Sequence, residues 1–268
     1  MTGRLAILAG GGALPAALAV AAPDALCISF AGVPHQLCNV THEHHFEKLG
    51  ALFSDLKSDG VSDVVCAGSM SRPPLDPAAF DPVMMALAPR LLSAMQGGDD
   101  ALLRLVIQIF EEQGFTVRGA HEIAPQLTVA EGVFAGPVPS DAALMDADRG
   151  ADILNALAPV DVGQGCVVAG GLCLGIETIQ GTDALLRFVA DTPKPLRRNA
   201  KGVFVKAPKR GQDLRVDMPA IGPETVRNAA AAGLEGIVLQ AGGVLILDRQ
   251  NTIETAEKAG VFILGRVL

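Results

Sequence analysis

The stretch RLAILAGGGALPAALAV, residues 4–20, decides the fold of the first half of the chain. Residues 5–9 form a short apolar run that predicts a buried strand, and residues 14–20 predict a helix. Three glycines and a proline lie where the two meet, and they fit a strand-to-helix turn better than the middle of a secretory signal helix. The stretch therefore predicts the first strand–loop–helix unit of an α/β fold.

Short apolar runs alternate with helical patterns along the remainder of the first half. Parallel strands need connections of a dozen or more residues, so this alternation predicts a doubly wound, Rossmann-like parallel sheet. The further strands are predicted at 26–30, 63–67 and 115–118, with helices at 46–58, 82–95 and 99–113.

The second half repeats the α/β alternation after a segment rich in Gly and Pro. We predict an N-terminal Rossmann-like domain at 1–132, a linker at 133–140 and a C-terminal catalytic α/β domain at 141–268. Its strands are predicted at 165–169, 172–177, 202–206, 236–240, 244–248 and 261–264, with helices at 182–190, 223–232 and 252–259.

Composition excludes several classes of protein. The 268 residues carry 21 basic and 29 acidic side chains, a net charge of −8, which argues against neutralisation of nucleic-acid phosphates. Trp and Tyr are absent, so base-stacking platforms and aromatic membrane belts are not available. No apolar run reaches the roughly 18 residues of a spanning helix. The five cysteines have no paired spacing and indicate buried thiols in a reducing compartment.

The glycine loop is one candidate site, because its backbone amides can approach an anion at a helix N-terminus. A bare structural turn explains Gly10, Gly11 and Gly12 equally well. A nicotinamide cofactor is disfavoured, because Pro15 replaces the third glycine and no acid follows about 20 residues later. Two further candidates, Ser69 and Arg72, follow the strand at 63–67. Arg72 is either a phosphate clamp or a surface residue of a bent loop.

A histidine cluster and a glycine-flanked helix start offer further candidates. His42, His44 and His45 suggest a metal site, but we expect a solvated polar loop or polar residues close to the substrate instead. Thr182 either caps the helix that it opens or contacts the substrate. Asp183 is either a helix-dipole partner or a metal ligand, and Arg187, one turn further on, is a candidate phosphate contact.

The run QDLRVD, residues 212–217, is the richest in candidates. As a strand it would point Asp213, Arg215 and Asp217 to one face, near Lys206. Two carboxylates around a guanidinium form a pattern expected where a divalent cation meets a phosphate. A solvated strand face with an internal ion pair is the alternative, and we favour the functional interpretation.

These motifs, in this order and spacing, resemble the LpxI-type UDP-2,3-diacylglucosamine hydrolases of lipid A biosynthesis over essentially the whole chain. The resemblance implies a cytoplasmic, Mg²⁺-dependent enzyme from a Gram-negative source. It would cleave UDP-2,3-diacylglucosamine to UMP and 2,3-diacylglucosamine 1-phosphate (lipid X), with water attacking the sugar-side phosphorus. The resemblance is carried by residues 10–15, 67–73, 98–100, 102–103, 181–183, 212–219, 221–223 and 240–243, together with Glu177, Lys206 and Thr225.

We therefore predict three groups of site residues. The catalytic group is Asp217, Asp213, Arg215 and Lys206, with Asp217 carried over from the family as the essential acid. The metal ligands are Asp217, Asp213 and Asp183. The substrate-binding group is Gly10, Gly11, Gly12, Ser69, Arg72, Thr182, Arg187 and Gln212.

Two other functions remain as alternatives. The first is a non-catalytic module that binds a nucleotide or a lipid carrier, and the second, already disfavoured, is an NAD-dependent oxidoreductase. A diacylated substrate would account for the apolar composition and for contact with the inner-membrane surface as a peripheral protein. No nucleic-acid partner is expected. The oligomeric state is left open, a homodimer included.

Overall fold

A computed structural model describes residues 3–70, 75–97 and 99–268, with only the backbone for Asp99 and Asp100. The chain forms two compact units. The first comprises Met1–Pro125 and Asp213–Asp217, and the second comprises Gln126–Gln212 and Met218–Leu268. The first unit thus ends at Pro125, earlier than the boundary at 132 predicted from the sequence, and it takes a short segment from the second half of the chain.

The first unit contains the predicted parallel sheet. Its strand order is β3-β2-β1-β4-β5, and every neighbouring pair is parallel. Ile7 of the central strand lies between Cys27 and Val65, and Ile7 and Val65 are fully buried. The prediction of a Rossmann-like sheet is confirmed. The strands are β1 (Arg4–Ala9), β2 (Leu26–Phe30), β3 (His42–His44), β4 (Val61–Ala67) and β5 (Thr116–Arg118).

The helices of this unit pack their apolar positions against the sheet. Leu52, Phe53 and Leu56, at helical spacing, are the buried side chains of one helix, and the Phe53 ring meets that of Phe110 edge-on, with centroids 5.3 Å apart. The helices are α1 (Leu14–Ala21), α2 (Leu49–Ser58), α3 (Pro82–Gln96), α4 (Asp99–Glu112) and α5 (Ala120–Ile123).

The histidine segment differs from its prediction. Residues 42–44 form the edge strand β3 rather than a solvated loop, and they pair with Ile28, Ser29 and Phe30 of β2. His44 is 7% exposed. The sequence did not predict this strand, because the segment consists of His and Glu, which have no strong β-propensity.

The second unit is built on a six-stranded mixed sheet with the order β6-β13-β11-β9-β7-β8. Strands β9, β11 and β13 are parallel to one another, and β7 is antiparallel to both β9 and β8. A two-stranded sheet, β10 with β12, accompanies it. The strands are β6 (Gly132–Ala135), β7 (Gly165–Ala169), β8 (Leu172–Ile176), β9 (Val203–Lys206), β10 (Ala220–Ile221), β11 (Gly236–Gln240), β12 (Leu245–Ile246) and β13 (Phe262–Arg266).

Alternate residues of these strands face different helices. Cys166 and Val168 pack with Ala143 and Ala147 of α6, whereas Val167 belongs to the cluster formed with α7, α8 and α9. The sheet is therefore buried on both faces. The helices are α6 (Asp141–Leu157), α7 (Gly181–Ala190), α8 (Pro223–Ala231) and α9 (Arg249–Ala259).

Two segments depart from the predicted elements. Residues 133–135, expected in the linker, belong instead to β6, which pairs antiparallel with β13. The prediction of a strand over residues 212–217 is wrong, because this run forms a turn between β9 and β10.

Two further expectations concern membranes and cysteines. No helix within the described ranges has both the length and the apolar character needed to cross a membrane. All five cysteine thiols are free. Cys27 and Cys166 are buried as predicted and Cys66 is half-buried, whereas Cys38 and Cys173 are exposed, contrary to the prediction.

Candidate functional site

A buried ion pair occupies one end of the sheet in the second unit. Strands β8 and β9 run in the same direction, because each is antiparallel to the β7 strand between them. Glu177 follows β8 and Lys206 is the last residue of β9. Both therefore lie at the carboxyl ends of their strands, at the same end of the sheet. Lys206 Nζ lies 3.0 and 3.2 Å from the two carboxylate oxygens of Glu177, and the two side chains are 3% and 8% exposed.

Thr182 completes this group and connects it to a helix. Lys206 Nζ donates a hydrogen bond of 2.7 Å to Thr182 Oγ1, which in turn donates to Glu177 Oε1 at 3.0 Å. Thr182 is the second residue of α7, and no side chain caps that helix, so the alternative role of Thr182 as its N-cap is wrong. The ion pair instead holds the first turn of α7 against the sheet.

Sequence reasoning did not include Glu177 among the site residues. The signal was an acid directly after a strand, with a helix starting four residues later. That pattern alone does not show which cation the carboxylate will meet. Only the antiparallel placement of β7 between β8 and β9 brings Glu177 to Lys206.

The next residue of α7, Asp183, contacts a neighbouring helix. Asn228 Nδ2 of α8 donates a hydrogen bond of 3.0 Å to Asp183 Oδ1. Asp183 also lies in the first turn of α7, where the helix dipole favours a negative charge. Arg187, one turn further along, is exposed. Asp183 is thus held at two points, by Asn228 and by the anchored helix start.

The segment Asp213–Asp217 forms a compact turn that belongs to the first unit. Arg215 Nε and Nη2 lie 2.9 and 2.7 Å from the two carboxylate oxygens of Asp213, and Arg215 Nη1 lies 2.8 Å from Glu111 Oε1 of α4. The bonds from the Arg215 guanidinium hold the pKa of Asp213 below its usual range. Val216 packs on the apolar cluster of the first unit.

This turn replaces the single strand face expected for Asp213, Arg215 and Asp217. The backbone N–H of Asp217 donates to the carbonyl of Asp213 at 3.3 Å, and the Asp217 side chain is exposed. Local hydrogen bonding by Asp213, which also accepts from the Arg215 N–H, explains the outcome, because Asp side chains stabilise turns in competition with strands. Gln212, which accepts from the Lys209 N–H at 2.8 Å, falls in the second unit.

The predicted metal ligands are divided in the same way. Asp183 belongs to the second unit, and Asp213 and Asp217 belong to the first. Among the residues with described side chains, no group of three or more His, Cys, Asp or Glu is arranged to hold a metal ion. Carboxylates still suit Mg²⁺, which needs only one or two from protein and takes its other ligands from phosphate and water. Asp213 would have to share oxygens already bonded to Arg215.

The glycine loop makes close backbone contacts with the loop after β4. Gly11 N donates to Ser69 O at 2.6 Å, Ser69 N donates to Gly11 O at 3.0 Å, and Gly10 N donates to Ala67 O at 2.7 Å. A Cβ on Gly10 would lie 2.5 Å from Ser69 O, so this position needs glycine for packing alone. Gly12, at φ 87°, lies two residues before the first residue of α1. Arg72 lies outside the described residues.

These features define a class: a two-unit α/β protein that places paired acids and bases at strand ends and in a turn, as α/β enzymes do. Comparisons with known proteins narrow the class. Residues 4–127 match the LpxI N-terminal domain, and residues 130–264 match the LpxI C-terminal domain.

A curated relative extends over nearly the whole chain. The protein is 41% identical over 273 residues to the UDP-2,3-diacylglucosamine pyrophosphatase LpxI of Caulobacter vibrioides, covering 98% of this chain and 97% of that protein. The chain belongs to the LpxI family, which confirms the resemblance drawn from its motifs.

Proposed function

We propose that this protein hydrolyses UDP-2,3-diacylglucosamine to UMP and 2,3-diacylglucosamine 1-phosphate in the cytoplasm, as a step of lipid A synthesis. The observation that carries the proposal is the 41% identity, over almost the full length of both chains, to a protein named as a pyrophosphatase of that substrate. The turn at Asp213–Asp217 supplies charged side chains suited to a pyrophosphate.

The proposed reaction is attack of water on the phosphorus nearer the sugar. A new P–O bond forms to the water oxygen, and the bond from that phosphorus to the bridging oxygen breaks. The bridging oxygen leaves with UMP. Such reactions depend mainly on neutralising charge and positioning the nucleophile, so the protein needs cations and an oriented acid rather than a covalent intermediate.

In this scheme Asp217 orients the attacking water or accepts its proton. Its carboxylate is exposed, as a group that must meet substrate has to be. Arg215 is held in one orientation by Asp213 and Glu111, so its charge is in place near Asp217 before substrate arrives. The ionised state of Asp213 is maintained by the same hydrogen bonds, which keep its pKa low.

We propose Mg²⁺ as the cofactor. In the first unit Asp217 is its candidate ligand, with Asp213 as a second ligand or as the partner of Arg215 only, and in the second unit Asp183 is a separate candidate ligand. When bound, Mg²⁺ neutralises phosphate charge and lowers the barrier to attack. Gly12, Ser69, Arg72, Arg187 and Gln212 remain proposed substrate contacts. Lys206 and Thr182 act indirectly in this proposal, because their polar atoms bond to each other and to Glu177.

The test is hydrolysis of UDP-2,3-diacylglucosamine by the purified protein in ¹⁸O-labelled water, with Mg²⁺ or with EDTA. We expect UMP without label, label in the sugar phosphate, and loss of turnover with EDTA. Label in UMP would contradict attack at the sugar-side phosphorus, and undiminished turnover in EDTA would contradict the metal.

Replacement of Asp217 separates catalysis from binding. Asp217→Asn is expected to lower kcat by about 10²–10⁴-fold while substrate still binds. Asp161→Asn is the matched control, because Asp161 is an exposed acid at φ 56°, a conformation that Asn accepts, and its known contact is Lys209. If neither the unmodified chain nor the control releases UMP although both bind the substrate, the alternative of a non-catalytic binding module replaces the enzyme.

A further inference from the structure

An exposed strip runs along the outer edge of the second unit. We define the α7 strip by three apolar residues, Ile179, Phe188 and Leu196, and three cations, Arg187, Lys194 and Arg198. Ile179 is 98% exposed, Phe188 66% and Leu196 65%. Scattered single apolar residues are common on protein surfaces, so their arrangement and their charged neighbours decide what these three mean.

The local structure fixes where Phe188 and the residues after it lie. The other face of α7 buries Leu185, Leu186 and Val189 in the core, so Arg187 and Phe188 face outward. Phe188 lies beside the edge strand β8, because a Cβ on Gly175 of that strand would be 3.7 Å from Phe188 Cδ1.

Two arginine contacts fasten the later part of the strip to the same edge. The buried Arg197 donates hydrogen bonds of 2.7 Å to the carbonyls of Val189 and Ala232, which hold the short helix Lys194–Arg197 at the end of α7. Arg198 Nη1 donates to Gly170 O, at the turn between β7 and β8, at 3.1 Å. The strip therefore extends from the loop before α7 to the start of β8.

The charge of this surface is opposite to that of the protein. Residues 187–201 expose four Lys or Arg, since Arg197 is buried, and one acid, Asp191, a local net charge of +3, whereas the whole chain carries −8. Of the two acids just before them, Glu177 is buried against Lys206 and Asp183 bonds to Asn228. The cations of the strip thus face solvent with little local compensation.

We propose that the α7 strip docks this protein on an anionic lipid surface. Exposed Ile, Phe and Leu side chains can enter the boundary between headgroups and acyl chains, and the flanking cations are attracted to anionic headgroups. A second copy of the chain is disfavoured as the occupant, because a two-fold contact would set one positive strip against another. The inference does not depend on the proposed hydrolysis, since it concerns vesicles that contain no substrate.

Sedimentation of the full-length protein with vesicles tests the proposal. We expect binding to phosphatidylcholine vesicles that contain phosphatidylglycerol, weaker binding to phosphatidylcholine alone, and weakening in about 1 M salt, where charges are screened beyond roughly 3 Å. Phe188→Ser combined with Ile179→Ser should reduce binding to the anionic vesicles by about tenfold or more. Lys194→Gln should weaken binding severalfold and reduce its salt dependence.

Met145→Ser is the matched control. Met145 is 72% exposed in the same unit, but the exposed charged side chains of its helix α6 are Asp141, Asp148 and Asp152 against the single cation Arg149, so they are net negative. The control should bind as the unmodified chain does. Equal loss of binding in the control would overturn the proposal, and so would equal binding to vesicles with and without phosphatidylglycerol.

Hydrogen exchange of the unmodified protein provides a test that needs no variant. Anionic vesicles should slow exchange in residues 179–198 and leave α6 unchanged. Absence of slowing there would overturn the proposal. A lipid-free dimer that is lost in Phe188→Ser would also overturn it, because the strip would then be an interface between two copies.

Discussion

At the scale of single residues, Lys206 and Glu177 matter most for the stability of the second unit, because both are charged and almost wholly buried. Removing such charges from water costs several kcal/mol for each ion, and the cost is offset only when every polar atom finds a partner. Thr182 contributes to that requirement by bonding to both. The three residues are therefore energetically coupled, and a change in one leaves the others with unmet hydrogen bonds.

Lys206→Met is expected to lower the free energy of unfolding by about 3–5 kcal/mol, because it leaves the Glu177 carboxylate buried without its cation. The double variant Lys206→Met with Glu177→Leu should recover most of the loss, since it removes both charges. Urea unfolding measures both values. Lys209→Met is the control: its ion-pair partner Asp161 is 71% exposed and so remains solvated without the cation, and a loss below about 1 kcal/mol is expected. A loss as large as that of Lys206→Met would contradict this account.

Single elements explain why two expectations from the sequence failed. The histidine segment became the edge strand β3 because its backbone completes the hydrogen bonds of β2. The run at 212–217 became a turn because Asp213 bonds to the next residues of its own segment. In β3 the deciding hydrogen bonds come from a neighbouring strand, and in the turn they come from the Asp213 side chain within the segment itself.

Burial of His44 in β3 makes the first unit sensitive to pH. Burial lowers the pKa of His44, although the nearby Asp55 opposes the shift and His42 and His45 add to it. As the pH falls below about 6.5, the unfolded chain takes up a proton that the folded state resists, so stability decreases by at most about 1.4 kcal/mol per pH unit from this group.

Chemical unfolding between pH 5 and 8 measures this dependence. His44→Phe should flatten it between pH 5 and 6.5, because the variant lacks the titrating group. His45→Asn should change it much less than His44→Phe does, because His45 is exposed and is the last of the causes that shift the pKa of His44. An unchanged slope in His44→Phe would show that another group is responsible.

The contact between the glycine loop and the loop after β4 is also a property of elements. Gly10→Ala should lower the free energy of unfolding by about 1–3 kcal/mol, because the new methyl group meets the Ser69 carbonyl. Gly222→Ala is the control, since its nearest neighbour would lie 3.8 Å away, an ordinary contact. Thermal or urea unfolding distinguishes them, and equal stability of the two variants would contradict the role assigned to Gly10.

At the scale of the whole molecule, the segment Asp213–Asp217 joins the first unit although 87 residues of the second precede it in the chain. It contributes Val216 to the apolar cluster and an ion pair between Arg215 and Glu111. The first unit is therefore complete only when the second half of the chain is present.

Val216→Ala should destabilise the first unit by about 1 kcal/mol and speed hydrogen exchange in α4, because α4 supplies Ile107 and Phe110 to the apolar cluster on which Val216 packs. Exchange in α7 of the second unit should not change. Val133→Ala, at a site 47% exposed in the edge strand β6, is the control and should leave α4 unaffected. Faster exchange in α7 alone would contradict the assignment of Val216 to the first unit.

The sequence by itself determined the α/β class, the parallel sheet of the first half and the family. Apolar strand runs, glycine turns and motif spacing are local features that appear directly in the order of residues. The positions of Lys206, Thr182 and Asp183 at element ends were also predictable from those patterns.

Only the tertiary structure decided which charges meet. Glu177 contacts Lys206 because β7 lies antiparallel between their strands. Residues 213–217 belong to the first unit, where Val216 packs on an apolar cluster. The physical reason is the same in both cases: burial and ion pairing depend on residues far apart in the chain, and no local pattern specifies that partner.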